Sequence, residues 1–308
     1  MVSPELLSPE LQQVAEEIVV ELPYEHLARV AIKNELKPEF ALAQEVFDLA
    51  IGLFAEKIPM NPGPGLDDAV IVTVLGLLAK SCKQYRAIFM LVEYGIDEVA
   101  SSNVRMLFET MAATTFLTRH RIILKENGKR IPPVPGKTLT TRFRSSLYRA
   151  NEAFQYRKFQ RGLSEQGRSD PIRPENQKKV EDACAGWEKD IGPVWTERVK
   201  RKGYAGVSIK DLSESLGMGR LYATMYRLHS AGVHGTDAAN HSEFHEGFGW
   251  RFSVLPSTEG IAFSLGFATL MMIAILKTVD QRLNLGIRQR IGDLGKKVAK
   301  MRYEFPDM

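Results

Sequence analysis

AVIVTVLGLLAKSCKQYRAIFMLVEYG, residues 69–95, is apolar on several sides and is closed by Gly95, which predicts a central, buried helix over residues 66–95. On either side of it the chain reads as further helices. The next covers 97–127 and places Arg105 and Glu109 four residues apart on one face, amid Met106, Leu107 and Phe108. That spacing fits an ion pair, or a charged group reaching toward a neighbouring site. Upstream, Ser8-Pro9-Glu10 supplies an N-cap and a first-turn proline; a second helix is expected over roughly 24–36, and Pro38 opens a third. NPGPG at 61–65 is a loop, and GKRIPPVPGKT at 128–138, with three prolines and two glycines, is an exposed connection. VSIKDLSESLG, 207–217, reads as a short helix entered through Ser208 and closed by Gly217. A long apolar helix over 258–284 follows a short extended piece, WRFSVLP. Its seventeen uncharged residues, 260–276, are marginal for crossing a bilayer and are interrupted by Ser264 and Thr269, so a buried core helix without stable membrane insertion is expected.

The fold class is therefore all-α: an irregular multi-helix bundle with one or two buried apolar central helices. The core is expected from the helices at 66–95, 97–127, 219–234 and 258–284. The organisation reads as an acidic helical segment over 1–60, a main helical domain over 66–284 and a basic C-terminal helix over 285–308. Only two cysteines, Cys82 and Cys184, are present and form no CxxC pattern, which argues against a disulfide scaffold and for a reducing compartment. The N-terminus lacks the basic and apolar regions of a signal peptide, so a cytoplasmic protein is expected.

The net charge of +4 hides an asymmetry. Residues 1–100 hold 7 Lys and Arg against 16 Asp and Glu, whereas residues 119–179 hold 16 against 5. Either the two regions attract each other or the basic one meets an external polyanion such as RNA. The helix over 141–162 interleaves arginines with aromatics, a pattern that suits single-stranded nucleic acid. Phe143, Leu147, Ala150 and Phe154 also follow core spacing, which leaves Arg142, Arg144 and Arg149 as the nucleic-acid contacts of an outer face.

Chemistry concentrates in residues 219–250, GRLYATMYRLHSAGVHGTDAANHSEFHEGFGW, which hold four of the six histidines. On a helix over 219–234, Arg227, Ser230 and His234 stand at i, i+3 and i+7 and share one stripe. A fixed cation beside an imidazole that titrates near neutral pH suits a phosphate group. His241 and His245 form an i, i+4 pair if helical, which Asp237 or His234 would complete as a metal shell; this is the weaker reading, since no HExxH-type motif is present.

The R-x-x-x-E helix (Arg105, Glu109) and the Y-x-x-x-Y-R-x-x-S-x-x-x-H segment (Tyr222, Tyr226, Arg227, Ser230, His234) together resemble a bacterial family of all-α domains of unknown function, over roughly residues 66–282. That resemblance implies a fold and no activity. Arg227 and His234, separated by six residues, are also similar to the R-x4-6-H motif of the HEPN superfamily. This second resemblance implies metal-independent RNA cleavage without a cofactor, Arg227 and His234 as catalytic residues, a homodimer and a role in defence or toxin systems. Leu228 and Gly232 depart from the HEPN pattern, the second because a glycine bends a helix. Three function classes remain: a ribonuclease with Arg105, Glu109, Tyr222, Tyr226 and Ser230 around its catalytic pair, a non-catalytic binding or regulatory module in which Tyr222, Tyr226, Arg227 and His234 form a buried hydrogen-bond network, and a histidine-ligated metal site.

Overall fold

Eleven helices and two small hairpins make up the described part of the protein, a computed structural model covering residues 23–55, 68–166, 174–226, 242–245, 249–252 and 260–301. The helices are α1 (Pro23–Glu35), α2 (Lys37–Ala55), α3 (Asp68–Glu93), α4 (Asp97–Thr118), α5 (Thr141–Glu165), α6 (Pro174–Ile191), α7 (Pro193–Lys202), α8 (Ile209–Ser215), α9 (Gly219–Leu221), α10 (Ile261–Leu283) and α11 (Arg288–Lys300). The hairpins are β1 (Lys125–Glu126) with β2 (Lys129–Arg130), and β3 (Ser242–His245) with β4 (Gly249–Phe252), each antiparallel. The chain is all-α, with the helix opened by Ser8 lying outside the described residues.

Three of the four expected core helices meet at the centre. α3, α4 and α10 pack against one another, α2 and α11 cover α10, and α5 closes the other side against α3 and α4. Val70, Val74, Leu78, Ile88 and Val92 of α3 are fully enclosed, as are Leu265, Ala268, Met272, Ile275 and Leu276 of α10. Apolar side chains on most of its circumference bury the greater part of α3, and Val72, Gly76, Lys80, Lys83 and Met90 form the stripe it leaves exposed. α10 is long and apolar enough to cross a membrane by length and composition; in this fold it packs on four neighbouring helices. Several hydroxyls inside the core find partners within or between these helices. Thr110, Thr114 and Thr118 return their hydroxyls to the carbonyls of Met106, Thr110 and Thr114, and Tyr85 Oη bonds the Ala43 carbonyl and Thr269 Oγ1 at 3.2 and 2.8 Å, joining α2, α3 and α10.

Two local readings are corrected. The helix expected over 97–127 ends at Thr118, because Arg119 is extended and Glu126-Asn127-Gly128-Lys129 folds back as a two-residue hairpin. Asn127 and Gly128 have φ of +49° and +77°, the left-handed pair that a type I′ turn requires. The helix expected over 219–234 is α-helical only through Leu221 and continues as a π-helical turn over Tyr222–Tyr226; the rest lies outside the described residues. α8 follows the sequence: Ser208 Oγ accepts the Asp211 N–H at 3.1 Å, and Gly217 turns the chain at φ +76°. Asp211 and Ser215 in turn accept the N–H groups of Asn127 and Lys125, fastening the first hairpin to α8.

The acidic first third is tied down by ion pairs. Glu93, at the end of α3, takes Arg29 Nε at 2.8 Å and Lys33 Nζ at 2.5 Å from α1, and Glu45 of α2 takes Lys297 of α11 at 2.6 Å. Burial alone would raise the Glu93 carboxyl, but the hydrogen bonds and charges of Lys33 and Arg29 outweigh it and hold the pKa below the usual carboxylate range. A depressed carboxyl stabilises the fold in full above its unfolded pKa and loses that contribution as pH falls through the folded value. Glu93→Gln is therefore expected to cost about 1–3 kcal/mol near pH 7 and progressively less as pH falls below the ordinary carboxylate range. Urea midpoints of both proteins across that range check it; a gap that stays constant with pH refutes the assignment.

Candidate functional site

α4, which carries the first sequence motif, meets Tyr222, the first residue of the second. Arg105 and Glu109 form the ion pair expected from their spacing, with Arg105 Nε 3.5 Å from Glu109 Oε1 and both side chains partly exposed. Between them Phe108 points inward, 1% exposed, and its ring meets that of Tyr222 with centroids 6.2 Å apart and planes at 52°. Tyr222 opens the π turn and Tyr226 closes it, so the next residue in the chain is Arg227. A π turn adds a residue to the helical repeat and re-aims every side chain after it, and such turns recur at functional sites.

Tyr204, Tyr148 and Phe116 form a second cluster along α4, one that sequence spacing does not announce. Tyr204 Oη donates to the Glu109 carbonyl at 3.4 Å, and its ring lies 5.3 Å from Tyr148 and 6.0 Å from Phe116. Burial, then Tyr148 and Glu109, push the Tyr204 hydroxyl well above its ordinary pKa, and burial followed by Glu152 takes Tyr148 to about 12. Both stay protonated at neutral pH, and Tyr204 serves as a hydrogen-bond donor. Tyr204 follows Gly203 in a loop and meets Glu109 across ninety-five positions, so only an approach in three dimensions reveals it.

Arg227, Ser230, His234, Asp237 and His241 lie outside the described residues, as does the side chain of Tyr226. His245 ends strand β3, paired with Gly249, so the helical spacing assumed for a His241–His245 metal pair does not hold at His245. Among the described residues no group of three or more His, Cys, Asp or Glu is placed to hold a metal ion. Cys82 and Cys184 are buried free thiols, and burial pushes Cys82 up to about 12, far from a reactive thiolate.

The basic helix α5 divides its arginines. Leu147, Ala150 and Phe154 face the core as their spacing predicts, while Arg142 and Arg149 are exposed, Arg149 with its guanidinium 5.3 Å from the Trp187 ring centre. Arg144 is a correction. Capped at Thr140, the helix puts position 144 on the same inward side as Thr141 and Tyr148, and the side chain is wholly enclosed. It belongs to the interior, not to an outer basic face. Part of that face is neutralised at home: Arg157 pairs with Glu181 and Glu188 of α6, and Arg161 with Glu181.

No curated protein and no solved structure matches the chain. The elements that carry the site, from α4 through the π turn to β3, fall within one matched span, residues 72–248, and over it the chain belongs to DUF5677, a family of unknown function.

Proposed function

We propose that this protein is a HEPN-like, metal-independent RNA endonuclease whose catalytic pair is Arg227 and His234, working as a homodimer. The observation that supports this reading is the contact of Phe108 with Tyr222, which anchors the start of a π turn leading directly into Arg227 on the helix bearing the Arg105–Glu109 pair. A catalytic arginine gains from such an anchor, because charge stabilisation depends on a donor held in place before the reaction. In the proposed reaction His234 removes the proton of a ribose 2′-hydroxyl and the 2′-oxygen attacks the adjacent phosphorus. Arg227 stabilises the charge gathering on the phosphorane. The bond to the 5′-oxygen then breaks, that oxygen takes a proton from solvent, and the products are a 2′,3′-cyclic phosphate and a 5′-hydroxyl. Loss of cleavage in a folded His234→Ala protein tests the assignment; a wild type without RNA turnover rejects it.

Substrate binding in this reading falls to the exposed arginines of α5. Replacing Arg142 and Arg149 together by glutamine leaves the apolar stripe intact. Wild-type affinity for single-stranded RNA should drop as salt rises, and the double variant should lower the slope of log K against log salt by about 1.4, roughly 0.7 for each phosphate that is no longer neutralised. Fluorescence anisotropy over a salt series reads it, and an unchanged slope removes both residues from the interface.

A further inference from the structure

The aromatic residues that α5 interleaves with its arginines fall into two sets. Phe143 meets Trp195 edge-on, Tyr148 meets Tyr204, and Phe154 lies beneath Arg157 and Lys200. Tyr156 and Phe159 instead stand 53% and 60% exposed, and among the described residues neither has a ring or a cation against it. A lone aromatic on a surface needs no explanation, but these two are three residues apart and so are neighbours on one helix face. Beside Phe159 the surface is hollow. A groove of about 430 Å³ is lined by Gln155, Lys158, Phe159, Gly162, Leu163 and Gln166. Gly162 lines it without a side chain, and a Cβ built there would meet nothing within 4 Å, so open space lies one turn beyond the Phe159 ring.

The charge around this face is positive. Residues 141–164 hold one carboxylate, Glu152, against six Lys and Arg. Arg144 is buried, and Arg157 and Arg161 are paired with Glu181 and Glu188 of α6, which leaves Arg142, Arg149 and Lys158 on the exposed side. Seven residues are almost two turns, so Arg142, Arg149 and Tyr156 follow one another along one side of the helix toward Phe159. Two exposed rings alone would suit an apolar protein surface; rings bordered by cations and amides suit a flat, polar-edged base on an anionic backbone.

We propose that Tyr156, Phe159 and the groove at Gly162 form a base-stacking site for single-stranded RNA. This rests on the reading of the protein as a ribonuclease and deepens it: the substrate is unpaired, and α5 holds its bases as well as its phosphates. A duplex keeps the faces of its bases inside the stack, so only an unpaired strand can lay one on an exposed ring. Gln155 and Gln166 each offer an amide with donor and acceptor to the edge of a base in the groove, and Lys158 supplies a cation for the adjoining phosphate.

The test uses a 2′-O-methyl oligoadenylate of about twelve nucleotides, which lacks the nucleophilic hydroxyl, so that binding is read apart from cleavage. By fluorescence anisotropy at low salt, Phe159→Ala and Tyr156→Ala are each expected to weaken binding roughly 5- to 150-fold, the range spanned by loss of one base–aromatic stack, whereas Phe159→Tyr should retain it. The slope of log K against log salt should stay at the wild-type value in both alanine variants, because no phosphate contact is lost. Thermal midpoints should stay near wild type, since both positions are exposed. Equal affinity of the wild type and both alanine variants overturns the stacking site and leaves the ribonuclease reading standing; a wild type that binds no single-stranded RNA overturns both. Weakened binding in Phe159→Ala, beside a wild type that never cleaves unmodified RNA, upholds the site and removes the ribonuclease reading alone. The same strand paired with oligouridylate, if bound as tightly, overturns the assignment to unpaired RNA. Alanine variants that change only the oligomeric state in light scattering make the two rings a contact between copies of this chain and overturn the site.

Discussion

Substituting His234 by alanine is expected to lower RNA turnover by about 100-fold or more while moving the thermal midpoint by no more than about 1 °C. The size follows from the proposed role: a positioned acid–base group contributes roughly 10²–10⁴ to the rate, and in the proposed reaction its removal would leave phosphate binding to Arg227. A different result is expected if His234 is instead a buried partner in a tyrosine and arginine network. Alanine would then strand its neighbours' polar groups at a cost of about 1–3 kcal/mol, and any activity would fall only with the folded fraction. Turnover and thermal midpoint measured on the same two samples separate these outcomes. Arg227→Lys sharpens the comparison, because lysine keeps the charge but loses the planar fork that grips two phosphate oxygens at once. A lysine variant as active as the wild type would deny Arg227 its bidentate role.

What could be read in advance depended on whether the governing force is local. α3 and α10 are legible because apolar residues occupy most of the helix circumference, more than a surface helix would carry, and α8 because Ser208 and Gly217 act on their own neighbours. The hairpin at Asn127-Gly128 escapes a reading that extends helical periodicity past Thr118, although the Asn-Gly pair is itself a strong turn signal. Arg144 escapes because residue type suggests solvent while helix phase points inward, and the phase is fixed only once the cap at Thr140 is known. The π turn leaves no mark in composition, since it is a change in hydrogen-bond register rather than in residue choice. Of the candidate site, the pairing of Arg105 with Glu109 follows from spacing, whereas the Phe108–Tyr222 and Tyr204–Glu109 contacts depend on tertiary packing.

Phe108 links core and site closely enough that its substitution should register in both. The ring is 1% exposed on α4 and supports Tyr222 from the opposite side of the contact. Phe108→Ala removes a full aromatic ring from a packed interior, and a loss of about 3–5 kcal/mol is expected from reduced burial and the cavity left behind. Against a total stability on the order of 5–15 kcal/mol, that would bring the protein near its unfolding threshold. Phe108→Leu isolates the second effect: an apolar side chain of similar reach should cost less than about 1.5 kcal/mol but cannot offer Tyr222 a ring face. If the π turn is positioned through that contact, the leucine variant will keep its urea midpoint close to wild type while its RNA turnover falls several-fold. A leucine variant that is fully active would show that Tyr222 is held by other means, and an alanine variant costing under about 1 kcal/mol would take Phe108 out of the core altogether.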